Sequence, residues 1–166
     1  TAKAITNGYF PFGAVMISEA VAEVFEGDET GAAAIGHGYT YSGHPVGAAA
    51  ALACLAETKR LNVPENAAAR GAELFAGLQH IGAQCVVCGD VRGGHGLMCA
   101  LELVGDRGTK APIAKDRIGR VFEATYDAGV MIRVSGPNII LSPPLVLTAA
   151  DVQAIVAALD TGLAAA

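Results

Sequence analysis

Tryptophan is missing from this chain, and aromatic residues make up only 5% of its 166 positions. A ligand groove walled by stacked rings is therefore not expected. Charged residues are also sparse at 16%, against 52% hydrophobic, the reverse of the balance that keeps a chain disordered. The eleven Lys and Arg are scattered and the net charge is −5, so the basic stripe that neutralises a nucleic-acid backbone is absent. Long apolar runs are lacking too. The longest, Val46 to Ala56, is alanine-rich and falls short of the about 20 residues that span a bilayer. These features predict neither a nucleic-acid nor a membrane partner and suit a soluble cytoplasmic protein.

Cysteine is limited to Cys54, Cys85, Cys88 and Cys99. Cys85 and Cys88 form a C-x-x-C, the spacing of a metal or redox pair. Ala83 to Gly89 reads as a strand, on which residues three apart point to opposite faces and would part the two sulfurs. With no second C-x-x-C or His pair to complete a site, we expect buried reduced thiols and no metal.

What is present is alanine, valine, leucine and isoleucine in recognisable periods. Gly13 to Ser18 reads as a short buried strand, then a helix over Glu19–Phe25 with Ser18 as its N-cap. Glu26 to Gly43 is polar and glycine-rich, a long loop of the kind that more often carries function than not. A helix follows from Pro45 to about Leu61, and another from about Pro64 to Ile81, on which Ala67, Gly71, Leu74, Leu78 and Ile81 recur at helical spacing. Strands are expected at Gln84–Val87 and Leu97–Val104, a helix over Ala114–Ala128 stopped by Gly129, and a hairpin of Val130–Val134 with Asn138–Leu141. Thr148-Ala-Ala-Asp151 resembles a capping box opening a last helix. We expect residues 1–45 to be the tail of a larger domain, 46–63 a connecting helix, and 64–166 an α+β layer of sheet and helices. Thr1-Ala-Lys-Ala reads as the middle of a fold, so a piece of a longer protein is expected.

Lysine alone means little, since most are solvated surface charges. Lys3, however, lies between Ala2 and Ala4 and precedes Ile5-Thr-Asn-Gly-Tyr and Phe10-Pro-Phe-Gly-Ala-Val15, which suggests a tight, partly apolar turn. An amine sheltered from water favours its neutral, nucleophilic form. This segment resembles the cofactor-lysine segment of class III pyridoxal-phosphate-dependent aminotransferases (the ω-transaminase type), with Ala4 where glycine is usual. His37-Gly-Tyr-Thr-Tyr-Ser-Gly-His-Pro-Val46 is similar to a second stretch of that family, and Val130-Met-Ile-Arg-Val-Ser-Gly-Pro to a third that continues through Pro143-Pro-Leu-Val146. Asp90-Val-Arg-Gly93 and Gly96-Leu-Met are similar to a further stretch, read here as turn geometry.

The resemblance implies an α/β protein of fold type I, like aspartate aminotransferase, of which this chain holds the end of the large domain and the small C-terminal domain. It implies pyridoxal 5′-phosphate bound covalently by Lys3, its phosphate held by the Thr40 hydroxyl and the Tyr39 backbone N–H across a homodimer, and Arg133 facing a substrate carboxylate. The reaction implied is amino transfer from an amine or amino acid to an oxo acid such as pyruvate. An aminomutase or decarboxylase of the same fold, or a non-catalytic relative, remains open, and Arg133 by residue type is equally an ordinary solvated arginine. His44 and His95 lack a nucleophile or acid at a recognisable spacing, so loop and capping roles are expected.

Overall fold

The computed structural model describes all residues from Thr1 to Ala166. They form two compact units, Thr1–Leu61 and Asn62–Ala166.

The first unit contains a 3-10 turn at Lys3–Ile5 and two helices, α1 (Glu19–Glu26) and α2 (Pro45–Arg60). α2 begins where the sequence places it, with Pro45 in the first turn, where a missing N–H costs nothing, and Lys59 and Arg60 at the carbonyl end. His44 caps it, Nδ1 accepting from Val46 N–H at 3.2 Å, the capping role expected for this histidine. Ser18 occupies the N-cap of α1, but its side chain makes no capping bond. The strand expected at Gly13–Ser18 is not formed: only Gly13 pairs, in an isolated bridge to Ala2. The unit offers this run no ladder and no cover, and Val15 and Met16 are more than four-fifths exposed.

The second unit starts at Asn62, whose left-handed backbone (φ +52°) precedes α3 (Val63–Gln84). Then come β1 (Cys88–Arg92), β2 (Cys99–Asp106), β3 (Ala111–Pro112), α4 (Lys115–Asp127), β4 (Arg133–Ser135), β5 (Asn138–Leu141) and α5 (Ala149–Ala164). The sheet is antiparallel in the order β1-β2-β5-β4, with the short β3 pairing β2 outside that path. Register puts Leu101 opposite Val91 and Ile139, and Cys99 opposite Leu141. One face therefore presents Cys99, Leu101, Leu103, Ile139 and Leu141 to a single core with Leu74, Leu78 and Ile81 of α3, Val121 of α4 and Val152, Leu159 and Leu163 of α5. Each of these Val, Leu and Ile side chains, taken out of water, contributes about 1.5–3 kcal/mol. The other face holds Arg92, whose guanidinium bridges Asp90 at 3.0 Å and Glu102 at 3.6 Å.

Helix α3 runs a turn past its expected end, through Gln84, because Ala83 and Gln84 are good helix formers. The strand expected at Gln84–Val87 therefore forms later, at Cys88–Arg92. The sulfurs of the C-x-x-C do not diverge along a strand: Cys85 caps α3, and a turn in which Cys88 N–H donates to Cys85 O (3.3 Å) leads into β1. All four cysteines are unpaired, and burial pushes the Cys88 and Cys99 thiols up from their ordinary range.

The capping box of α5 is present as the sequence indicates. Asp151 Oδ2 accepts from Thr148 N–H and Oγ at 2.7 Å each, and Asp151 N–H donates to Thr148 Oγ at 3.3 Å. The Thr148 bonds, backbone first, hold the Asp151 carboxyl below the usual aspartate range. A folded-state value below the unfolded one adds stability that is present above the ordinary aspartate range and is lost as pH falls through the folded value. Asp151→Asn is thus expected to lower the midpoint of thermal unfolding at neutral pH and to converge with the unaltered protein in acid. Parallel melting curves at all pH values would contradict this.

Candidate active site

The segments around Lys3 and Thr40 both belong to the first unit, and the structure fastens them together through aromatic and backbone contacts. Phe10 ends the Lys3 turn. Its ring centroid lies 5.2 Å from that of His44, the cap of α2. Gly47, in the first turn of α2, lies under the same ring: a Cβ there would come to 3.0 Å of Phe10 and 2.9 Å of Phe12. On the other side, the Cys54 thiol of α2 reaches the Ala4 carbonyl at 3.4 Å. The lysine-bearing turn is seated on α2 at two places, and α2 is the continuation of the loop that carries Tyr39 and Thr40.

Lys3 has φ +54°, in the left-handed region, and sits in the 3-10 turn. Asn7 and Gly8 of the same turn share that region, as their types allow, but lysine is held there only against its preference. Residues in such settings cluster where the surroundings fix them for a purpose. Its amine takes part in no ion pair within the chain. Lys110 has a similar φ, +57°, but its amine is bonded to the Gly89 carbonyl. The turn is tight, as expected, but not sheltered: Lys3 is exposed. Alanine on either side is too small to wall the amine in.

The loop before α2 closes through a pair of reciprocal bonds. Tyr39 N–H donates to Ser42 Oγ at 3.0 Å, and Ser42 N–H returns to Tyr39 O at 2.9 Å. The Tyr41 and His44 rings stack at 5.5 Å, and Gly43 turns the chain with φ +70°. Thr40, at the apex, is exposed. Sequence reading passed over Thr6 and Ser42. Thr6 is buried at 2% exposure and donates its hydroxyl to the Phe10 carbonyl at 2.6 Å. Ser42 is bonded to the N–H expected to face a phosphate. Small hydroxyl residues in loops are too common for type alone to pick them out.

Arg133 belongs to the second unit. It lies on the edge strand β4, paired with Ile140, exposed and in no ion pair within the chain. It lines a cavity of about 440 Å³ whose other walls include Val130, Ile132, Pro143 and Pro144. A larger cavity of about 750 Å³ between Leu103, Ile113, Ile118, Phe122 and Val134 touches none of the candidate residues.

Comparison with known proteins places this arrangement. The profile of the family "Aminotransferase class-III" matches residues 1–163, and the chain belongs to that family. It is 43% identical over 162 residues to an uncharacterized aminotransferase, y4uB, of Sinorhizobium fredii, covering 94% of this chain and 34% of that protein. It is 35% identical to taurine–pyruvate aminotransferase of Bilophila wadsworthia, covering 96% of this chain and 36% of that one. Among solved structures, an amine transaminase from an uncultivated Pseudomonas species, in its PLP-bound form, superimposes with a TM-score of 0.90 at 42% identity, over 98% of this chain and 37% of that one. The chain thus spans about a third of the length of these relatives. Its fold is part of the pyridoxal-phosphate-dependent fold type I, and class III aminotransferases use pyridoxal 5′-phosphate.

The residues present fit that cofactor by the chemistry of their donors. An unpaired primary amine on a constrained turn suits an aldehyde, and an exposed hydroxyl at a glycine-assisted turn suits a phosphate dianion. Tyr39 N–H is the exception, since Ser42 Oγ already occupies it.

Proposed function

We propose that the protein carrying this chain moves an amino group from an amine or amino acid, of the ω-amino type, to an oxo acid such as pyruvate. The observation that carries this reading is Lys3: an amine without an ion-pair partner on a backbone held at φ +54°, in a segment packed on the helix that follows Thr40. The amine transaminase and the taurine–pyruvate aminotransferase among its relatives support it.

Within this chain the work divides as follows. Lys3 Nζ would hold the cofactor covalently and, as a free amine, would carry a proton to and from the substrate carbon that bears nitrogen. Thr40 Oγ donates to the phosphate of the cofactor. Tyr39 N–H joins it only if it leaves Ser42 Oγ; otherwise the Ser42 hydroxyl, still free to donate, is the second donor. These phosphate contacts serve the neighbouring subunit of a homodimer. Arg133 offers a fork of N–H donors that matches a substrate carboxylate, and the apolar walls beside it suit the rest of a small molecule. The cofactor, when bound, would supply an electron sink for the substrate carbon that gives up the proton. Residues 1–45 belong to the large cofactor domain, 46–63 to the link, and 64–166 to the small domain.

Reduction with borohydride in the presence of pyridoxal 5′-phosphate, followed by peptide mass mapping, tests the assignment. The reduced cofactor is expected on the peptide containing Lys3. A mass shift found only on Lys59, Lys110, Lys115 or a lysine elsewhere in the protein would overturn it.

A further inference from the structure

We infer that Thr6 is the positioning residue that fixes the Lys3 turn for covalent capture of the cofactor, an inference that rests on the proposed role of Lys3. Two polar residues of the chain are buried, Thr6 at 2% and Thr125 at 0% exposure. They are spent differently. Thr125 returns its hydroxyl to Val121 O within its own helix, a local bond that helical threonines often make. Thr6 lies outside any helix and uses every polar group it has to close the segment around Lys3. Its N–H donates to Lys3 O at 3.3 Å, its carbonyl accepts from Tyr9 N–H at 3.0 Å, and its hydroxyl donates to Phe10 O at 2.6 Å.

That last bond reaches across the turn. Phe10 is the residue whose ring meets His44 and lies over Gly47 at the start of α2. The hydroxyl therefore joins the backbone of the lysine to the side chain that seats the turn on α2. A lysine keeps a left-handed backbone only where its surroundings over-determine it, and Thr6 supplies the bonds that do so from within the turn. The Cys54 thiol, a weaker donor, holds the neighbouring Ala4 carbonyl from α2 at 3.4 Å. Without the Thr6 hydroxyl the Phe10 carbonyl loses its donor, and the turn is released at the end opposite Lys3.

Thr6→Val keeps the branched shape and removes only the hydroxyl; Thr6→Ser keeps the hydroxyl. The full-length protein, stripped of cofactor, is mixed with pyridoxal 5′-phosphate while the absorbance band of the lysine-linked cofactor is followed, and thermal unfolding of each cofactor-free variant is recorded. Misplacing a reacting group by a fraction of an ångström to one ångström is enough to slow capture in Thr6→Val by about tenfold or more. Thr6→Ser is expected to restore the rate, with both variants melting close to the unaltered protein. Capture by Thr6→Val at the unaltered rate overturns the inference, as does a Thr6→Ser variant as slow as Thr6→Val. If Thr6→Val does not fold, Thr6→Ala replaces it and is read in the same way. Failure of the functional reading looks different: the unaltered protein itself then yields no reduced adduct on the Lys3 peptide, and the inference falls with it.

Discussion

Lys3→Arg is expected to lower amino transfer by about 10⁴-fold, the upper range of what a positioned acid–base group contributes, although charge and length are nearly kept. Arginine stays protonated at any pH a protein survives, so its guanidinium neither attacks an aldehyde nor takes a proton from carbon. That makes the substitution more telling than removal of the side chain. If Lys3 served only as a positive charge on an exposed turn, arginine would serve as well, and Lys3→Arg would keep most of the activity. Fold loss is not the expected cause of the defect, because the lysine side chain is exposed and takes part in no ion pair within the chain. Steady-state rates with an amine donor and pyruvate, beside melting curves of both proteins, measure the outcome. Retention of more than a tenth of the rate in a folded Lys3→Arg protein removes Lys3 from the chemistry.

The residues that announce the site in sequence are those whose types are unusual for their surroundings. A lysine between alanines ahead of a Gly-Tyr-Phe-Pro run, and a His-Gly-Tyr-Thr-Tyr-Ser-Gly-His-Pro loop, stand out because few structural needs produce such strings. Thr6 and Ser42 do not stand out. Their importance comes from which carbonyl or N–H lies opposite them, and that is fixed only when the turn closes. Helices were legible for a similar reason. Pro45, Leu74, Leu78, Ile81 and the Thr148–Asp151 box act within one or two turns of their own sequence, whereas a strand exists only if another pairs with it. Gly13–Ser18 carries a strand-like composition and finds only the Ala2 bridge. Ala111–Pro112, with nothing strand-like about it, pairs because β2 runs alongside. The exposure of Lys3 was illegible for the converse reason. Small neighbours allow a turn to be tight, but shelter needs walls, and this chain places none beside it.

Gly71→Ala is expected to destabilise the second unit by about 2–3 kcal/mol, the upper part of the range for overpacking a closed contact. Composition argues the other way, since alanine in a helix is favoured over glycine by about 1 kcal/mol. The geometry decides. A Cβ on Gly71 would lie 2.1 Å from Gly96 O and 2.4 Å from Gly96 C, inside the loop between β1 and β2. Those are backbone atoms, so no rotamer change relieves the clash, and Gly96 is itself held at φ +65°. Helix and loop would have to part, pulling Leu74 and Leu78, the next two turns of α3, out of register with the core. For about a hundred residues such a loss lowers the unfolding midpoint by roughly 10–20 °C. Gly119 in α4 supplies the control, because a Cβ there meets nothing within 4 Å. Gly119→Ala should raise the midpoint by a few degrees, the helix preference acting without opposition. The same exchange, glycine to alanine in a helix, is thus expected to have opposite signs at two positions of one unit. Scanning calorimetry on the two variants measures both, and a Gly71→Ala protein as stable as the original would mean that the Gly96 loop leaves room for a Cβ on α3.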